Sequence, residues 1–195
     1  TAGTGNIVFT GAVGGVIRLG AITLTSATDV TAAAITAASI NQVASTGTTT
    51  LNGAVNTNAV AGVDLNGTTY AINSTITTTG GGPLQITNGG VLTIAAAGDF
   101  NLDGLFLQDG AGTVTTSGDI TTTDDAITFT TATTLGGNIL LNTGAGAGTV
   151  TFLGILNGTV AGTETIGITA GTGNIVFTGA VGGVIILGAI NLTSA

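Results

Sequence analysis

Residues 169–195 read TAGTGNIVFTGAVGGVIILGAINLTSA, and residues 1–27 read TAGTGNIVFTGAVGGVIRLGAITLTSA. Two positions differ: Arg18 stands against Ile186, and Thr23 against Asn191. The copies lie 168 residues apart in a chain of 195. Self-similarity at a fixed period marks architectures in which each unit buries its apolar face against the next. The expectation is a window on a longer tandem array. Residues 1–168 form one full repeat, and residues 169–195 begin the next, continuous with the first. Shared sequence predicts that both copies adopt the same coils.

Inside the copy, NIVF and AITL alternate apolar and polar residues with period two. The same alternation recurs at residues 70–72 (YAI), 91–94 (VLTI), 99–102 (DFNL), 126–129 (AITF) and 149–152 (TVTF). Gly, Asn and Asp separate these runs, so they read as short strands with tight corners. No segment sustains the i, i+3, i+4, i+7 spacing of an amphipathic helix, and Thr and Gly are poor helix formers.

The strand-and-turn phrases predict a finer period of 21–24 residues, or seven to eight units per 168, with eight preferred. Units of that size with two or three short strands describe coils of a parallel β-solenoid. The fold class expected is all-β, a right-handed parallel β-helix. Val, Ile, Leu, Phe and Ala would fill its interior, and Thr, Asn and Ser its outer surface. A lone coil buries too little apolar surface to offset the entropy of ordering it, so stacking is what makes the fold stable. Alternation in VIRL and AITL places Arg18 and Thr23 outside, opposite Ile17, Leu19, Ile22 and Leu24.

Composition narrows the function. Charged residues are 5% while hydrophobic residues are 43%, which is not the profile of a disordered chain. One cation against nine acids leaves a net charge of −8. Binding nucleic acid needs clustered cations to displace counterions, so that class is excluded, and an anionic membrane surface would repel the chain. Residues 11–24 form the longest apolar stretch, too short and glycine-rich for a transmembrane helix. With no Cys and no His, there is no disulfide framework and the commonest transition-metal ligands are missing.

The phrases GNIVFTG (residues 173–179), GDFNLDG (98–104) and SGDI (117–120) resemble the coils of filamentous-haemagglutinin-like and autotransporter-type bacterial surface adhesins, the β-strand-repeat proteins. That resemblance implies a secreted parallel β-helix at the cell surface, serving as a non-catalytic stalk or fibre shaft. Its expected partners are adjacent copies of the repeat end to end, and parallel chains in a fibre. The near-identity of the long repeat departs from more varied adhesins and suggests a homogeneous fibre. The alternative is a solenoid that binds ice or glycans.

Individual motifs carry less. Asp99, Asn101 and Asp103 match the opening D-x-N-x-D-G of a calcium loop, with Asp109 as a fourth oxygen donor. Gly110 stands where the loop's bidentate Glu belongs, and the same residues also read as a strand ending in a turn. No other cofactor is expected. Sequons occur at Asn66, Asn73, Asn157 and Asn191. Threonine triplets begin at Thr48, Thr77 and Thr121; these unequal gaps predict no common column, as an ice-binding face would need. Glu164 and the scattered Asp residues offer little for acid–base catalysis without His, Lys or Cys.

Overall fold

The computed structural model describes residues 1–194 as a three-sided parallel β-solenoid of about eight turns, with no helix among them. Each side is an eight-stranded parallel sheet. The first face opens with Ile7–Phe9 and ends with Leu156–Gly158. The second runs from Ile35–Ala37 to Ile190–Thr193, and the third from Ile22–Leu24 to Ile175–Phe177. The chain visits first, second and third face in turn, and every strand pairs with the strand one coil earlier or later.

Inward columns are apolar. On the third face Ile22, Ile40, Val63, Leu84, Phe106, Ile127, Val150 and Ile175 stand one above another. The steps between them are 18, 23, 21, 22, 21, 23 and 25 residues. Corners absorb this variation, because only strand residues must keep register. In the next inward column Phe129, Phe152 and Phe177 follow one another. Phe106 packs edge-on against Phe129 at a centroid distance of 5.2 Å. A single apolar cluster runs almost the length of the coil stack, from Ala32 to Leu187.

The two copies do not occupy the same coils. Ile7–Phe9 lies on the first face and its equivalent Ile175–Phe177 on the third. Ile22–Leu24 lies on the third face and Ile190–Thr193 on the second. Val13 bridges to Ile35 on the second face, whereas Val181 bridges to Leu156 on the first. The period therefore spans 23 sides, or seven and two-thirds turns, and not a whole number of coils. The physical reason is that all three faces ask the same of a strand: alternate apolar residues inside and backbone bonds to the coils on either side.

The segment VIRL also differs from its expected alternation. Val13 and Leu19 bridge to Ile35 and Ala37, only two residues apart, so residues 14–18 bulge out of the coil. Val16 is 100% exposed, Ile17 78% and Leu19 45%. Arg18 lies outside, but it is anchored: Nη1 donates to the carbonyls of Ala37 (2.7 Å) and Asn56 (2.9 Å), and Nη2 to Asn56 Oδ1 (2.6 Å).

Candidate functional surface

Along the second face the outward middle position reads Thr36, Asn56, Thr77, Asn101, Thr121, Asn142, Thr169 and Thr193. Paired register makes these a single unbroken column. Rungs of a parallel sheet are about 4.8 Å apart, so hydroxyl and carboxamide alternate along the fibre axis at nearly 10 Å per pair. Two shallow grooves follow this column. One is lined by Thr77, Thr79, Asn101, Asp103, Thr121 and Thr123, and the other by residues including Leu140, Asn142, Thr169 and Asn191. Arg18 closes the column's first end through Asn56.

Thr77 and Thr121 thus share a column after all, two coils apart with Asn101 between them. Thr48–Leu51 lies on the first face. Equal residue spacing was the wrong criterion, because coils of unequal length can keep strand register. The first face has its own outward threonines, Thr31 and Thr50, then Thr93, Thr115 and Thr134, with Ala71 interrupting. The alternating Thr–Asn column was legible only once the coil corners were known.

The four calcium candidates fall in two places. Asp99, Asn101 and Asp103 follow the second-face strand Phe100–Leu102 and its corner, while Asp109 ends Phe106–Asp109 on the third face. Asp99 Oδ1 accepts from Asp119 N (2.9 Å), and Asp103 Oδ2 from Gly81 N (2.9 Å). Asp109 Oδ1 accepts from Gly110 N (2.6 Å). Asp119 Oδ1 in turn accepts from Leu140 N (2.7 Å). These carboxylates tie each coil to its neighbour or to its own corner. Among the described residues, His, Cys, Asp and Glu form no cluster of three suited to a metal ion. Of the sequons, Asn66, Asn73 and Asn191 are exposed, whereas Asn157 is buried and its Oδ1 accepts from Val184 N (3.1 Å).

Two polar groups inside the molecule escaped the sequence reading. Gln42 Nε2 donates to Tyr70 Oη (3.1 Å), Ser45 Oγ (3.1 Å) and Asn66 O (3.2 Å), and its Oε1 accepts from Thr49 Oγ1 (2.9 Å). Burial drives the Tyr70 phenol well above the ordinary tyrosine range, against the opposing pull of Gln42. Glu164 is also buried, and its carboxylate is wrapped by the turn before it. Thr159 Oγ1 donates at 2.5 Å, with Thr159 N and Val160 N at 3.1 Å. The Thr159 hydroxyl, joined by the Val160 amide, holds Glu164 below the usual carboxylate range despite desolvation. A carboxylate committed to backbone donors in this way is a turn staple and a poor proton carrier.

What the surface offers is repetition: hydrogen-bonding groups at fixed spacing, on a rigid frame. Its fold defines the chain as a parallel β-solenoid protein. Comparison with protein-family models, curated proteins and solved structures finds no match to this chain.

Proposed function

We propose that this chain is a segment of the shaft of a secreted bacterial surface fibre or adhesin, built from tandem 168-residue units, and that its work is mechanical. One observation carries the reading: the same 27-residue sequence opens and closes a solenoid whose coils pair in parallel without a break. Backbone hydrogen bonds run along the axis, and the apolar interior is continuous. Load along the axis is shared by all three sheets, and each coil protects the edges of the next. The test is a chain of three tandem units. It should form one unbroken rod lengthening by roughly 37 Å per unit, at about 4.8 Å per coil. Separate beads in electron micrographs would refute the shaft.

A second reading has its own observation, the Thr–Asn column with its two grooves. It supports a surface that binds a ligand rich in hydroxyl groups, ice or a glycan. Five aromatic rings, Tyr70, Phe100, Phe106, Phe129 and Phe152, are buried and offer no stacking platform to a sugar. Hydrogen bonding along the column would have to provide the recognition. Thermal hysteresis of the purified chain, or retention on immobilised glycans, tests this reading; a chain inactive in both leaves the shaft alone.

A further inference from the structure

The duplicated segment sits once at each end of the molecule, and each copy lacks what the other has. In the first copy the following coil lies on top: Ile7–Phe9 is paired to Val30–Ala32, and Ile22–Leu24 to Ile40–Gln42. Phe9 O accepts from Ala33 N (3.0 Å) and Leu24 O from Val43 N (2.8 Å). In the second copy the equivalent carbonyls, of Phe177 and Leu192, have no described coil beyond them. Leu24 is 8% exposed, whereas its equivalent Leu192 is 51% exposed. The upper surface of the last coil is therefore a sticky end, and the complement that fits it is already known. It is the surface of residues 28–45, which each molecule now covers with its own residues 1–27.

Building on the shaft reading, we propose that two copies of this chain join head to tail by coil exchange. Residues 169–195 of one molecule take the place of residues 1–27 of the next, which is turned by two-thirds of a turn about the axis. Direct stacking of last coil on first coil would put two copies of the same coil in succession, a sequence that a 168-residue period never contains. Exchange removes the duplicate. It replaces contacts by nearly identical ones, differing only at Arg18/Ile186 and Thr23/Asn191. Exchange of an identical element is a low-cost route to association, and a head-to-tail joint that does not close grows into a filament.

Rotation follows from the 23-side period. Ile175–Phe177 ends the third face, but its sequence is the one that fits Val30–Ala32, which belongs to the first. The third face of one molecule must continue as the first face of the next. By the same rule the first face continues as the second, and the second as the third. A given face returns to its starting direction only after three units. The Thr–Asn column and the exposed bulge at Val16 and Val184 would then point in three directions in turn along a filament, a three-fold screw.

The chain contains no Cys, so paired cysteines report the joint cleanly. Val176 is the equivalent of Val8, which pairs with Thr31. Three full-length double variants are compared after warming to loosen the terminal coils, slow cooling and oxidation. V176C/T31C reports rotated exchange, V176C/N41C exchange without rotation, and V176C/V8C rotated stacking without exchange. Disulfides need Cα atoms within about 7 Å, so V176C/T31C is expected to give at least roughly tenfold more cross-linked oligomer than either alternative. A dominant V176C/N41C product would overturn the rotation and a dominant V176C/V8C product the exchange, while either leaves the shaft standing. Monomer in all three variants would overturn the joint and count against the shaft as well.

Discussion

The rings of Phe129 and Phe152, one coil apart on the third face, lie nearly parallel at 6° with centroids 4.9 Å apart. Phe152 and Phe177 continue the stack at 5.5 Å and 10°. The spacing of this stack is the spacing of the sheet itself, so the aromatic ladder adds ring contacts to backbone register without straining it. Phe9, the equivalent of Phe177 in the first copy, pairs instead with Ala32. Identical residues of the repeat thus have different neighbours, because the repeat does not close on a whole turn.

Phe152→Ala removes the middle of that stack and leaves a cavity with stacked rings above and below. Buried Phe to Ala changes cost about 3–5 kcal/mol. Chemical denaturation of the variant should show a loss in that range. A loss below about 1 kcal/mol would mean that the coils collapse freely around the gap.

Tyr70→Phe takes away one acceptor of the buried Gln42 amide and leaves the ring packing in place. Loss of a partner to a buried polar group costs about 1–3 kcal/mol near neutral pH. The phenol also sets an alkaline limit. Its folded pKa is raised, so the unfolded chain loses that proton first. Stability is fully present below the ordinary tyrosine range and declines as pH rises through it toward the higher folded value. Melting temperature against pH should fall in the alkaline range for the wild type and less steeply for Tyr70→Phe.

Glu164 sets the opposite limit. Its folded pKa is lowered, so its contribution is present above the ordinary glutamate range and is lost as pH falls through that range to the folded value. Glu164→Gln should flatten the acid limb of the melting profile, and equal acid limbs in both proteins would remove the turn staple.

Gly112 marks a place where backbones meet. A methyl built on it runs into the carbonyl of Gly90 in the coil below. Overpacking of this kind costs about 1–3 kcal/mol or more, because a backbone carbonyl cannot rotate away like a flexible side chain. Gly112→Ala should therefore destabilise strongly, while Gly11→Ala, with open space around it, should be nearly neutral.

Much of the fold was legible in the residues. Alternation in NIVF, VLTI and AITF places the apolar side chains inside, and the absence of helical spacing leaves a parallel solenoid as the arrangement that buries them. Arg18 was legible as an outside residue, but its anchorage on Asn56 was not, because bulging of residues 14–18 follows from the register of Val13 and Leu19 with Ile35 and Ala37. Asp99, Asn101 and Asp103 showed a calcium-like spacing. Spacing alone could not show that Asp99 and Asp103 are taken up by backbone amides of neighbouring coils.

By itself the sequence determined that this chain repeats, that its elements are short strands, and that its stability comes from stacking. Tertiary structure alone decided which face each strand joins. Strand identity is local, written in two or three alternating residues. Face identity is a running total over every corner, and coil steps from 18 to 25 residues make that total invisible to a fixed period. The Thr–Asn column and the two-thirds turn between units both come from that sum, which only the folded chain performs.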